Sequence, residues 1–546
     1  MAMNNASFAF SVASLGIQVG ETVLGLSKFI SDKRPSTKSL ALAMMQEYEQ
    51  SQRLKRVLHE NGKFGLNGCL LDEMDDGTRT LVNDMFSQVR GIWEEFMRMY
   101  NKNVPRHGDA GSNATSTTGD DLEKNVGSAI ANWAVEQSWS VSDNERLEWL
   151  VTGSSSWNTR LERTLKTFQW IRAADAPSPT TAITRLGQIA TDGDAARLGW
   201  EQDAQLKQLV LAMTNPGVQT TLPIPTDLDI TENPITILSP NPHAEGLLRG
   251  YKPCEDGRKI VLVEFRKYPP PVQGQSLDNA VQLRVEQLTA LLVLAKDPAF
   301  RLAPACNYYH DKKNFQFGIV FDLPGGPQTQ TITLRKLLDA PKRPSLGSRL
   351  KLSTALARSL SKLQSISWVH QGIRSEHIVF MHSQNSEPCY DSPVIFGYGN
   401  SRPESTVSNA RYDNDPLRNL YRHPDRWGTS PSKSFNKLHD IYSLGVVLLE
   451  IGFWKPVMQL VKSDLIKRGA LPADVKANLL QLAKHSRIED LMGERFRGIL
   501  VKCLEGDAAA FGVDAARDDK EDSMLQAAFK EEVVATLVKA TDSITT

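Results

Sequence analysis

An excess of charge of either sign is the first thing this 546-residue sequence lacks: 63 Lys and Arg stand against 63 Asp and Glu. A nucleic-acid-binding domain normally carries a basic excess, so no nucleic-acid partner is expected. Cysteine is scarce. Cys69, Cys254, Cys306, Cys389 and Cys503 lie far apart with no C-x-x-C pair, which excludes a disulfide framework or zinc knuckle and favours a reducing, intracellular setting. None of the ten histidines sits in a convincing ligand spacing, so no metal site is expected. Repeats of solenoid period and long blocks of like charge are also missing. At 40% hydrophobic residues the chain is too apolar for disorder, and its length calls for two or three domains.

Long apolar runs are absent as well. Residues 1–27 hold a single charged side chain, Glu21, but no basic n-region or compact apolar core, so they do not read as a signal peptide. A membrane-spanning helix needs about 18 nearly uninterrupted apolar residues, and Asn4, Asn5, Ser11, Ser14, Gln18 and Glu21 break the stretch. Phe8, Val12, Leu15, Val19 and Val23 instead recur at helical spacing, the signature of one amphipathic face. Gly16, Gly20 and Gly25 each weaken an exposed helix by roughly 1 kcal/mol relative to alanine. They also allow the close backbone approach seen between helices in lipid. Two readings stand side by side: the first core helix of a soluble bundle, or a membrane-active segment.

Beyond this opening the chain is helical in period over 37–60, 70–100, 122–137, 143–170 and 196–213, with Gly153 and three serines breaking the fourth pattern. The segment 107–121 is small and polar and reads as an exposed loop. Six prolines between 215 and 242 end the helical texture. The domain boundary is placed there: a bundle over 1–214, a Pro-rich linker over 215–244, and a second domain over 245–546. In that second domain KIVLVEFRKY (259–268) and FQFGIVFDL (315–323) read as strands, with a helix over 277–296 between them and another over 349–364. A small sheet with one helix, followed by a mostly helical body, fits a two-lobed α+β domain.

The run DIYSLGVVLLEIG (440–452) resembles the D-x-x-S-x-G helix start in the large lobe of protein kinases. Around it lie VEFR (263–266), where the family carries a strand lysine, Glu286 in the helix of its partner glutamate, and YRHPD (421–425) near the Ala-Pro-Glu position. Kinases build phosphoryl transfer from a Gly-rich loop, that lysine and glutamate, a catalytic-loop Asp and Asn, and a metal-binding Asp. The resemblance places HQGIRSEH on the catalytic loop: His370 is kept, Gly372 stands for the aspartate and His377 for the asparagine. Gly397 takes the metal-binding aspartate, Arg266 replaces the lysine, and upstream LLRGYKPCEDGRK holds no G-x-G-x-x-G. The resemblance therefore implies a pseudokinase, with no catalytic residue, no metal, and at most weak, metal-independent ATP binding. Asp440 is expected to cap its helix and hold the catalytic-loop backbone. Arg266 and Glu286 are expected to pair and hold strand against helix, for fold maintenance or as a switch. RNLYRHPDRW (418–427) reads either as packing after the activation-loop position or as a partner surface.

FAFSVASLGIQVGETVLGLSKFI, the helical bundle and SDNERLEWLVTGSSSWNTRLERTL resemble the HeLo domain of fungal prion-inhibition and propagation proteins. The expected fold is thus multidomain: an all-α HeLo-like bundle followed by a two-lobed α+β protein-kinase-like fold. The combination also resembles the plan of the mixed-lineage kinase domain-like protein of animals. It implies a cytoplasmic, fungal cell-death or heterokaryon-incompatibility effector, relocating to the plasma membrane. Phe8, Val12, Leu15, Val19 and Val23 would enter lipid, while Glu21 lines the interior of a homo-oligomer formed on activation. An upstream protein would act through the pseudokinase. The C-terminus is charged and helical in period, so no prion-forming repeat is expected. A soluble scaffold with two protein-interaction domains is the alternative, and an atypical kinase the third reading.

Overall fold

A computed structural model describes residues 35–103, 126–130, 141–215, 217, 225, 227–240, 247–254, 257–270, 279–383, 386–406, 415–427, 433–467, 470–516 and 523–545. The candidate membrane-active residues Phe8, Val12, Leu15, Val19, Glu21 and Val23 lie outside the described residues, as does most of the helix expected over 122–137. A helical N-terminal region precedes a region that combines helices with antiparallel sheets. Among the described residues no helix is long and apolar enough to cross a membrane. The chain divides into two compact units, 1–172 with 191–201, and 173–190 with 202–546.

The first unit is built on α1 (Pro35–His59), α2 (Asp76–Asn103) and α3 (Val141–Ala174). In α2, Val82, Val89, Trp93 and Phe96 fall on one stripe and are buried, as the helical period requires. Helix α3 runs unbroken through Gly153 and the serines that suggested an interruption. Ser154 is wholly buried there. One turn on, the Asn158 amide donates to the Glu47 carbonyl at 2.8 Å and accepts from Ser51 Oγ at 2.9 Å. Satisfied polar contacts thus replace the apolar ones the pattern was missing. Asp192 caps the short α5 (Gly193–Arg197) by accepting from the amides of Asp194 and Ala195. Asp194 in turn holds the Arg56 guanidinium at 2.7 Å and the Lys63 ammonium at 3.1 Å.

The second unit gathers α4 (Pro179–Thr191), which the sequence pattern did not reveal. Pro179 occupies the first helical position, where a missing N–H costs nothing, and Ser178 Oγ accepts from the Thr181 amide at 3.1 Å. Helix α6 (Glu201–Thr214) buries Leu206, Leu209 and Val210 in one core with Leu262, Leu288, Phe300, Ile319, Trp368 and Tyr398. Its apolar stripe therefore belongs with the sheet-containing unit rather than with the bundle to which residues up to 214 were assigned.

That sheet has five antiparallel strands in the order β1-β2-β3-β5-β4, with β1 Thr236–Pro240, β2 Leu247–Cys254, β3 Gly257–Lys267, β4 Ala305–Asp311 and β5 Gln316–Asp322. Helix α7 (Asn279–Leu294) lies between β3 and β4 in sequence. Beyond β5 come β6 (Thr329–Thr333) and α8 (Leu346–Ser365). Two small ladders complete the strands, β6-β8-β9 with β8 Ile378–Ser383 and β9 Val394–Ile395, and β7 (Trp368–Val369) with β10 (Arg402–Pro403). Helix α9 (Lys437–Phe453) is buried on nearly every side, which is why its sequence is mostly apolar beyond the first turn.

Candidate functional site

The segment after β7 is held from below by α9. Asp440, in the first turn of that helix and wholly buried, accepts from the amides of His370 at 2.6 Å and Gln371 at 2.9 Å. Burial pushes its carboxyl up to about 7 against these two donors. Gln371 adopts φ 61°, a left-handed conformation uncommon for a side chain of this kind. His370 is buried beside Tyr398, with its carbonyl bonded to Ser401 Oγ at 2.8 Å, and burial depresses its imidazole to about 3.

His377 and Gly397 form the floor. The Gly372 carbonyl accepts from His377 Nδ1 at 2.6 Å, and Arg374 donates to His377 Nε2 at 2.7 Å, so the partners fix a neutral imidazole protonated on Nδ1. Burial, then the Arg374 charge, keeps that ring from protonating until well below its ordinary range. Gly397 has φ 91°, and a Cβ there would lie 2.0 Å from His377 Nδ1. A Cβ on Gly372 would lie 2.6 Å from the Gly397 carbonyl. Gly397 has no room for a carboxylate while the imidazole stands where it does, and Gly372 has none while the Gly397 carbonyl stands against it.

The turn that contains Gly397 is tied to the sheet by a residue inside VEFR (263–266) to which the sequence pattern assigns no role. Glu264, on β3 and buried, accepts from the amides of Gly397 at 2.9 Å and Gly399 at 3.1 Å. Burial raises its carboxyl despite those donors. The expected Arg266–Glu286 pair is not what the fold assembles. Glu286 is exposed on α7, where its charge bears on Tyr308, and Arg266 shares a cavity with Arg284 instead.

That cavity, of about 220 Å³, is lined by seven arginines: Arg266 of β3, Arg284 of α7, Arg374, Arg402 of β10, and Arg418, Arg422 and Arg426. Gln371, Gly372, His377, Gly397, Ser401 and Tyr421 complete most of the wall, and among the described residues no Asp, Glu or Lys lines it. Burial and the neighbouring Arg426 lower Arg402 to about 10, and Arg284 adds to the effect. Burial and Arg422 lower Arg426 in the same direction. Among the described residues, the Asp415 carboxylate lies 3.3 Å from Arg418 and that of Glu376 3.9 Å from Arg374. Arg402 directs its guanidinium at carbonyls, among them Pro403 at 2.9 Å and Phe435 at 3.3 Å.

The stretch 418–427 is divided in its role. Leu420 packs inward, Tyr421 lines the cavity while its hydroxyl donates to Glu450 at 2.7 Å, and the three arginines of the stretch line the cavity. Their i, i+4, i+8 spacing was the one sequence signal for the cavity. The fold also gathers His423, Asp425 and His439, whose ligand-type atoms lie within 4.8 Å of one another. Asp425 there meets the Lys433 ammonium at 3.0 Å, while His423 Nδ1 and His439 Nδ1 accept from the amides of Asp425 and Asn436. Both rings are kept neutral by burial, His423 at about 4 and His439 at about 3.

Residues 316–544 match a family described only as a domain of unknown function (DUF7580), a span that takes in the cavity from Gln371 onward but not β3 or α7. No curated protein matches the chain.

Proposed function

We propose that this chain is a non-catalytic, pseudokinase-type signalling protein whose HeLo-like helical region acts at membranes, as in cell-death or incompatibility effectors. The observation that carries the reading is at Gly397. His377 fills the space that a carboxylate would need there, and arginines surround the cleft where a kinase would bring a metal and a proton acceptor. The retained features, Asp440 bonded to the His370–Gln371 backbone and the α9 run, maintain a shape rather than a reaction. In this reading residues 1–27 enter lipid on activation and homo-oligomerise, and the second unit restrains them until a partner acts on it.

The test is dye leakage from anionic liposomes with the full chain and with the chain lacking residues 1–27. Leakage that disappears with the deletion supports the effector. Absence of both leakage and lipid binding in the intact chain leaves the scaffold reading in its place. The full chain is the appropriate material, because a cut after residue 214 would strip α6 from its core.

A further inference from the structure

We propose that a second cavity of the second unit, lined by Glu376 and Glu450, is a binding site for a small organic cation: a guanidinium or ammonium group on a short aliphatic arm. It shares only Tyr421 with the arginine-lined cavity, and the inference stands whether or not the first unit acts on membranes.

This cavity has a volume of about 310 Å³, at the lower end of the roughly 300–1,000 Å³ of small-molecule sites. One part of its wall is aliphatic, made by Leu417, Leu420, Pro456, Val457 and Met458. The short helix Leu334–Asp339 contributes Arg335, Lys336 and Asp339, and Glu376, Tyr421 and Glu450 supply the rest. Glu450, on α9, is wholly buried. Its Oε1 accepts from Tyr421 and the Val457 amide, with Ser375 Oγ at 3.3 Å, whereas Oε2 has no hydrogen-bond partner. Glu376 Oε2 is also buried without a hydrogen bond: Arg374 Nε stands 3.9 Å from it, and Arg335 Nε 3.9 Å from Glu376 Oε1, both beyond hydrogen-bond reach. Arg335 spends its other nitrogens on Asp339 and, at 3.1 Å, on Met458 Sδ. Two carboxylate oxygens of one cavity thus keep their acceptor capacity.

The charges of the wall agree with this chemistry. With Glu450 ionised there are three carboxylates, Asp339, Glu376 and Glu450, against two cations, Arg335 and Lys336, and one added cation closes the difference. Burial, with the Glu376 charge adding to it, raises the Glu450 carboxyl to about 8, so at neutral pH the cation displaces a proton from it. Tyr421, the other titratable group against Glu450, is held neutral by burial. The aliphatic wall decides the kind of cation. It covers a methylene arm, whereas a calcium or magnesium ion asks for about six or more oxygens that five apolar side chains do not offer. A guanidinium or ammonium brings several N–H donors to two unpaired oxygens. The basic side chain of a protein partner is the competing occupant.

The experiment uses the full chain in EDTA at neutral pH, titrated calorimetrically with n-butylguanidinium and with n-butylurea, an uncharged molecule of the same shape. The guanidinium is expected to bind, and butylurea to bind at least about tenfold more weakly, as loss of a charge-assisted contact predicts. Heats measured in phosphate and in Tris should differ, because a proton is released. Below the Glu450 value that proton must leave for the cation to bind, so affinity should rise with pH by up to about tenfold per unit and level off above about 8. Glu450→Gln should abolish the proton release. Glu376→Gln should weaken binding about tenfold, while Glu387→Gln, at an exposed carboxylate outside the cavity, changes nothing. Urea midpoints confirm that each variant is folded, and two separate cavity variants guard against one that is not. No binding of n-butylguanidinium, equal binding of butylurea, heats that do not depend on the buffer, or equal loss in Glu376→Gln and Glu387→Gln overturns the proposal. So does Glu376-dependent binding of a short arginine-containing peptide more than about tenfold tighter than that of n-butylguanidinium, which would assign the cavity to a protein partner.

Discussion

Gly397 has both a conformation and an environment that reject a side chain. At φ 91° an L-residue loses about 1–2 kcal/mol, and a Cβ 2.0 Å from the His377 ring adds an overpacking cost of about 1–3 kcal/mol. Gly397→Ala is therefore expected to lower unfolding stability by about 3 kcal/mol, and adding His377→Ala should recover the steric part alone. A double-mutant cycle in urea measures this; strict additivity would mean the ring does not hold the position closed. Glu450 provides a second single-residue test. Its Oε1 accepts from Tyr421 at 2.7 Å and the Val457 amide at 2.8 Å, Oε2 is buried without a partner, and burial raises the carboxyl from 4.5 to about 8. Between those values the folded chain keeps a proton that the unfolded chain has released. Its contribution is complete below pH 4.5 and is lost as pH rises toward 8. Gln at 450 does not titrate, so the stability of Glu450→Gln relative to the parent should climb across that window by on the order of a few kcal/mol. A difference that stays flat with pH would sink the assignment.

Elements were legible where one physical demand dominated. Helix α9, buried almost all round, appears as a predominantly apolar run; β3, β5 and α7 declare themselves by period and by β-branched residues. Strands β1, β2 and β4 were hidden because their surroundings are mixed. β2 is half-buried and carries Arg249, Lys252 and Pro253, and β4 buries Asn307, whose amide donates to the Asp227 carbonyl at 2.9 Å. The same holds at the candidate site. His370, Gly372, His377, Gly397 and Asp440, singled out by their resemblance to kinase motifs, are brought together by the fold. The motif spacing points to Glu286 rather than Arg284, and two residues amount to about 200° around a helix, enough to exchange a cavity wall for solvent. The other arginines were not legible, because only tertiary structure collects residues spread from 266 to 426.

For the molecule as a whole the decisive fact is that the chain passes between its two units three times, near 172, 190 and 201. No single cut yields both units intact. A fragment ending at 214 is expected to expose Leu206, Leu209 and Val210, to bind hydrophobic dye and to associate, whereas the full chain should do neither. A monomeric, dye-silent fragment would show that α6 finds cover without the sheet. The same interleaving has a consequence for synthesis. Helix α6 leaves the ribosome well before Trp368 and Tyr398, which complete its core, have been made. At about 5–20 residues per second, that delay lasts on the order of ten seconds or more. Throughout it an apolar stripe is available to chaperones and to neighbouring nascent chains, so the yield of this protein in a cell should depend on who reaches that helix first.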